Sequence, residues 1–144
     1  MQMISLCILK VLADKIVVLR GKVMDETNYV PIEQLTKFKE YYDSQEGRKY
    51  PCSNQIVKCG IVTKDRNLAI DFMKNKNVVR KLERKNEIMW ELDSGEQWLW
   101  KDWNINCRGY RFYKVAIDKM VDKKLFYEFV YPYCSLYCCS VELI

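Results

Sequence analysis

The sequence predicts an α+β domain, a mixed α/β arrangement in which two to three helices pack on a central β-sheet. Three observations predict it. The chain has 144 residues, 49% of them hydrophobic and 30% charged, which suits a single compact domain spanning residues 1–144. Apolar runs of strand-like period alternate with runs of helical period. Turn-forming and helix-capping residues fall between those runs.

The elements follow in order. Met3 to Leu12 and Lys15 to Met24 are apolar and rich in β-branched residues, and read as two strands of a hairpin, with a helix as the alternative for the first. Pro31 stands where a helix would start; Ile32, Leu35, Phe38 and Tyr42 recur at near-helical spacing, and Gly47 is the expected stop. Arg48 to Asn54, around Pro51, read as a loop. Gln55 to Thr63 is a strand-like run. Asp65 is placed to cap a helix whose apolar face is Leu68, Ala69, Phe72 and Met73, with Asn75 to Asn77 ending it. Val78 to Leu82, Glu87 to Leu92 and Gln97 to Trp100 read as short strands, the last two joined by a turn at Asp93, Ser94 and Gly95, where glycine can take positive φ. Alternation puts Ile88, Trp90 and Leu92 on one face, and Trp98 and Trp100 on one face of the partner strand. Arg111 to Ile117 is a further strand ending at Asp118. Asp122 caps a last helix bearing Leu125, Phe126, Phe129 and Val130, which Pro132 is expected to close. The tail from Tyr133 to Ile144 is apolar enough to be packed. The direction of strand pairing stays open.

Composition narrows the class. The apolar run Ile4 to Leu12 is interrupted by Lys10, is too short to span a bilayer, and lacks both a basic flank and a small-residue cleavage site. A cytoplasmic chain with no membrane partner is the expectation. The seven cysteines are Cys7, Cys52, Cys59, Cys107, Cys134, Cys138 and Cys139. An odd count with an adjacent pair argues for reduced thiols in the core over a disulfide framework. Cys134, Cys138 and Cys139 could suggest zinc, but no CxxC pair and no histidine exist to complete a tetrahedral site. No metal and no cofactor are expected. The net charge of +5 with a pI near 8.8 leans toward anionic partners without the dense basic stripe of a duplex-DNA binder.

From Gly60 to Pro132 the order of features resembles the middle of the ATPase domain of phage terminase large subunits. The matching pieces are Val62-Thr63-Lys64, the helix Arg66 to Lys74, the hairpin around Ser94-Gly95, Arg108-Gly109-Tyr110-Arg111, and Val115-Ala116-Ile117-Asp118. The resemblance implies a phage or mobile-element product on an ATPase-like scaffold. It does not carry the motor: the five glycines, Gly21, Gly47, Gly60, Gly95 and Gly109, never give the Gly-x4-Gly-Lys-Ser/Thr loop that holds a β-phosphate. The Asp-Glu of the family is here Asp118-Lys119, and a lysine cannot polarise the attacking water.

With no histidine in the chain, serine triads, Cys–His dyads and histidine metal sites are excluded. Carboxylate pairs such as Asp93 with Glu96, or Asp102 with Asp118, are no more than chance neighbours among nineteen acidic residues. No catalytic residue is assigned. The stretch from Trp98 to Tyr113 is the most informative. Arg108 and Arg111 can grip a phosphate; Trp103 and Tyr110 can stack on a base, and Asn104 and Asn106 can read its edge. Arg66, in the first turn of a helix, and Arg80 are secondary ligand-binding candidates. The competing reading makes Trp98 and Trp100 a packed sheet face and pairs Arg108 and Arg111 with Asp102 or Asp118. The basic run Lys74 to Lys85 reads as a solvated edge, where lysines block unwanted strand pairing.

The expected function is therefore non-catalytic binding of a nucleotide or phosphorylated small molecule. In a phage setting that means sequestration of a cyclic or related immune-signalling nucleotide, an anti-defence role by analogy. The alternatives are a protein inhibitor of a host nuclease or CRISPR-type effector, and a degenerate terminase-like nucleic-acid-processing fragment. A nucleic-acid partner, a host-protein partner and a homo-oligomer stay open.

Overall fold

The strand Val57–Val62 (β3) lies inside a six-stranded mixed sheet and organises everything around it. The structure is a computed structural model that describes residues 17–19, 22–24, 28–45, 47–48, 57–103, 111–134 and 138–144. The expected strand Met3 to Leu12 and most of the loop Arg48 to Asn54 lie outside those residues. The expected strand Lys15 to Met24 is instead two short ones, Val17–Leu19 (β1) and Lys22–Met24 (β2), paired antiparallel with Leu19 opposite Lys22. A run uniform in apolar content does not disclose a reversal within it.

The helix Ile32–Asp43 (α1) begins just after Pro31, whose fixed φ of −58° suits that position. It buries Leu35, Phe38 and Tyr42 as expected, whereas Ile32 is exposed, because a first-turn side chain overhangs the end of the core. Gly47 follows with φ +95°.

After β3, the helix Arg66–Met73 (α2) is capped by Asp65, whose carboxylate accepts from the N–H groups of Asn67 and Leu68. Ala69 and Met73 are buried while Leu68 and Phe72 lie at the margin. Strands Val78–Arg84 (β4), Glu87–Leu92 (β5) and Glu96–Lys101 (β6) form an antiparallel meander. Gly95, with φ +92°, makes the β5–β6 turn. Ile88 and Trp90 stand opposite Trp100 and Trp98, and all four are buried beneath α2 with Cys59, Ile61 and Met73. The alternation expected for these strands is observed, and the two tryptophans of β6 form a packed face. Each such large apolar side chain contributes about 1.5–3 kcal/mol on burial.

Strand Lys114–Ile117 (β7) starts three residues later than expected. Phe112 precedes it and lies flat against Gly60, where even a Cβ would approach the ring to 2.5 Å. The last helical segment runs through Lys123–Leu125, Phe126–Val130 and Tyr131–Cys134, here together α3. Asp122 caps it as expected, accepting from the Leu125 N–H at 2.7 Å. Pro132 does not close it. The middle five residues take π-type geometry, with the Tyr131 N–H bonded to the Phe126 carbonyl; this wider turn carries the chain past a proline that lacks an N–H and would crowd the carbonyl four residues back. Among its described residues the tail is packed, as expected: Ser140–Leu143 (β8) joins the sheet, and Cys134, Cys138 and Cys139 are buried.

The strand order is β4-β5-β6-β3-β7-β8, with β6, β3, β7 and β8 mutually parallel. One face carries α1 and α3 over Val62, Val115, Ile117 and Val141. The other carries α2 over Cys59, Ile61 and Ala116.

Candidate functional site

Two crossovers leave the middle of the sheet in opposite directions. The chain goes from β3 through α2 and the meander to β6 on one side, and from β7 through α3 to β8 on the other. Crossovers of one hand going opposite ways must place their helices on opposite faces. The chain segments leaving the carboxyl ends of adjacent parallel strands β3 and β7, which stay paired to Val62 and Ile117, therefore diverge, and in open α/β sheets the crevice this opens is where ligands bind.

A cavity of about 610 Å³ occupies the crevice, lined by Tyr29, Thr63, Lys64, Asp65, Asp118, Met120, Val121, Asp122 and Leu125. Among the described residues the buried polar side chains are Thr63 and Asp118, and they meet here. The Thr63 hydroxyl donates to Asp118 Oδ2 at 2.6 Å and accepts from the Asp65 N–H at 2.9 Å. The Met120 N–H donates to Asp118 Oδ1 at 2.8 Å. Trp100 holds the strand end from beneath, its indole N–H donating to the Thr63 carbonyl at 2.9 Å. Removing a carboxylate from water costs several kcal/mol unless such donors compensate.

The rim is charged. Lys64 Nζ lies 2.7 Å from Asp122 Oδ2. Burial opposes ionisation of Asp122, but the Lys64 ammonium and the Leu125 N–H outweigh it and hold the carboxyl below its ordinary range. Tyr29 closes one side through a bridge to Asp122, with the Val30 N–H bonded to the Val121 carbonyl. At the two helix starts that open here, the Asn67 and Leu68 amides of α2 and the Leu125 amide of α3 are taken by the capping aspartates, and the Lys123 amide by the Asn28 carbonyl. Lys64 is the basic side chain on the lining of the crevice. The site can accept hydrogen bonds from hydroxyl or amino groups through Asp118 and Asp122, and offer positive charge through Lys64.

A second hollow, about 740 Å³, lies at the opposite end of the sheet beneath α1. Its basic side chains are engaged by the fold, Lys39 with Asp43 and the Val141 carbonyl and Lys114 with Glu96, which leaves Glu142 as the further charge on its lining. We place the site in the crevice on those grounds.

Those of the ligand-binding residues expected from sequence that are among the described residues are not gathered there. Asn104, Asn106, Arg108 and Tyr110 lie outside the described residues. Trp103 is 1% exposed and donates its indole N–H to the Ile61 carbonyl at 2.9 Å; with Phe112 edge-on at 6.0 Å, it is a core residue with no face open for a base. Arg111 is exposed at the amino end of β7, away from the crevice. Arg66 sits at the start of α2 but pairs with Glu83 at 2.5 Å. Arg80 stands on β4 opposite Glu91, 3.4 Å away. The residues that do meet, Thr63, Lys64, Asp118 and Asp122, are strand ends and caps. Their nearness follows from strand order, which no local pattern encodes. The chain matches no protein-family model, no curated protein and no solved structure.

Proposed function

We propose that this protein is a binding domain that holds a nucleotide or another phosphorylated small molecule, without turnover, in the crevice between the ends of β3 and β7. The observation that carries the reading is the buried Thr63–Asp118 pair at that switch point. A buried carboxylate is weak support for stability even when protein donors hold its oxygens, as Thr63 and Met120 do here, and its place on the lining of the crevice supports a part in binding. In this reading Asp118 and Asp122 accept from sugar hydroxyls or a base amine, while Lys64 meets the phosphate. Lys119 beside Asp118, the missing phosphate loop and the absence of histidine argue for holding over hydrolysis. In a phage or mobile-element setting such a domain would sequester a host signalling nucleotide, by analogy alone.

The test is to denature the purified protein by heat and identify the released small molecules by mass spectrometry. Calorimetric titration with mono-, di- and cyclic nucleotides then follows on wild type and Lys64→Ala. The expected result is intact ligand released, and binding weakened about tenfold or more in the variant, the scale of one charged hydrogen bond. Binding that is unchanged by Lys64→Ala, or the absence of any bound or titratable phosphorylated molecule, would sink the proposal.

A further inference from the structure

The chain's excess positive charge has a place in the fold. Between residues 74 and 85 stand Lys74, Lys76, Arg80, Lys81, Arg84 and Lys85 against the single acid Glu83, so this short segment carries a surplus of five, equal to the net charge of the whole chain. β4, the strand at the end of the sheet, carries Arg80, Lys81 and Arg84 of this set, with Lys74, Lys76 and Lys85 flanking it. All seven residues of β4 are exposed, and among the described residues no strand pairs with its outer edge. Basic residues on an edge strand block pairing with another copy of the same chain, because like charges would stand opposite each other. The same charges are complementary to an acidic strand.

The pairing register says what that strand would look like. Arg80, Leu82 and Arg84 stand opposite Glu91, Met89 and Glu87 of β5. An arginine–leucine–arginine row thus meets a glutamate–methionine–glutamate row on the sheet face away from α2. The row is only partly engaged by β5: Arg80 reaches Glu91 at 3.4 Å with its side chain 59% exposed, and Leu82 remains 42% exposed. Glu87 is shared with Lys101 at 3.8 Å. On the other face of β4, Glu83 is held by Arg66 and Lys81, which removes the one charge that would repel an acidic neighbour. Val78 and Val79, both exposed, stand at the irregularity where the register shifts before Arg80.

We propose that the outer edge of β4 is a docking site for an extended acidic segment of a partner protein, which adds to the sheet as a strand and presents acid, apolar and acid residues at alternate positions, as β5 does from the inner side. Main-chain hydrogen bonds to the free edge give affinity, and the alternating row gives selectivity. A nucleic-acid backbone would satisfy the arginines but leave Leu82 and Val79 uncovered and make no strand ladder.

The test uses a fluorescein-labelled synthetic peptide repeating Glu-Thr-Leu-Thr, read by anisotropy against the full chain. Binding is expected, weakening with salt. The double variant Arg80→Glu/Arg84→Glu, at exposed positions, should bind it at least about tenfold more weakly while preferring a Lys-Thr-Leu-Thr repeat. Two further peptides, N-methylated at alternate residues in the two phases, separate strand addition from charge attraction without any protein variant. Successive N–H groups point to opposite edges, so one should lose binding and the other keep it. Any other pattern overturns the proposal, as does unchanged binding by the double variant, or a single-stranded oligonucleotide that binds the wild-type chain more tightly than the peptide.

Discussion

Gly60→Ala is the substitution whose cost can be worked most directly from the structure. An ideal Cβ at position 60 would lie 2.5 Å from Cε2 of Phe112 and 2.7 Å from its Cδ2 and Cζ. Carbon atoms in contact prefer about 3.5–4.0 Å, so the ring must retreat by roughly an ångström. It has no room to do so. Phe112 is 1% exposed and stands edge-on to Trp103, and Trp103 is tied to Ile61. Overpacking of this kind costs about 1–3 kcal/mol. With a urea dependence of about 2 kcal/mol/M, the unfolding midpoint should fall by about 0.5–1.5 M. Phe112→Leu shortens the ring and should relieve the clash, so the double variant should be more stable than the sum of the single effects by about 1 kcal/mol or more. A Gly60→Ala protein within 0.5 kcal/mol of wild type, or strict additivity in the double variant, would show that Phe112 does not press on β3 and that the segment leading into β7 is held differently.

The remaining predictions concern the site and its frame. Trp103→Phe leaves the Ile61 carbonyl without its indole donor and should cost about 1–3 kcal/mol in urea unfolding; a base-stacking Trp103 would instead leave stability untouched and change ligand affinity. Thr63→Val strips a donor from the Asp118 carboxylate and should cost about 1.5–3 kcal/mol, while Thr63→Ser, which keeps the hydroxyl, should recover most of it by thermal melting. Burial opposes ionisation of Glu96, but the Lys114 ammonium and the Trp98 indole hold its carboxyl below the ordinary range, and Glu96 in turn raises Lys114. A lowered carboxyl stabilises above its unfolded value, about 4.3, and loses that contribution as pH falls through the folded value; a raised lysine stabilises below its unfolded value, about 10.4, and loses it as pH rises through the folded one. Glu96→Gln should therefore flatten both the acid and the alkaline limbs of a stability–pH profile, and a profile identical to wild type would refute the pairing. With magnesium and ATP the protein should show no phosphate release above a heat-killed control; turnover abolished by Asp118→Ala would overturn the assignment of a non-hydrolytic role.

Much of the architecture was legible because it is written in short-range terms. The alternation of Ile88, Trp90, Trp98 and Trp100 encodes one buried face of a hairpin, and Gly95 its turn. Asp65 and Asp122 mark helix starts because a short carboxylate satisfies amides two or three residues ahead. Pro132 misled, because a π-type turn absorbed it, and Ile32 misled because periodicity does not say where the core ends. The site was legible only as pieces. Trp103 looked like a stacking platform since exposure is not a property of a residue type, and only packing against Phe112 and Ile61 shows it to be core. Thr63 and Asp118, 55 positions apart, form one hydrogen-bonded pair because β3 and β7 are neighbours in the sheet. By itself the sequence determined the element types, the caps and turns, the charge balance and the missing phosphate loop, all set by local sterics and composition. The basic run from Lys74 to Lys85 was already legible as a solvated edge, and β4 stands at the end of the sheet with every residue exposed. Strand order and the crevice it opens were decided by tertiary structure, because long-range pairing depends on how whole faces find cover, and no window of sequence contains both partners.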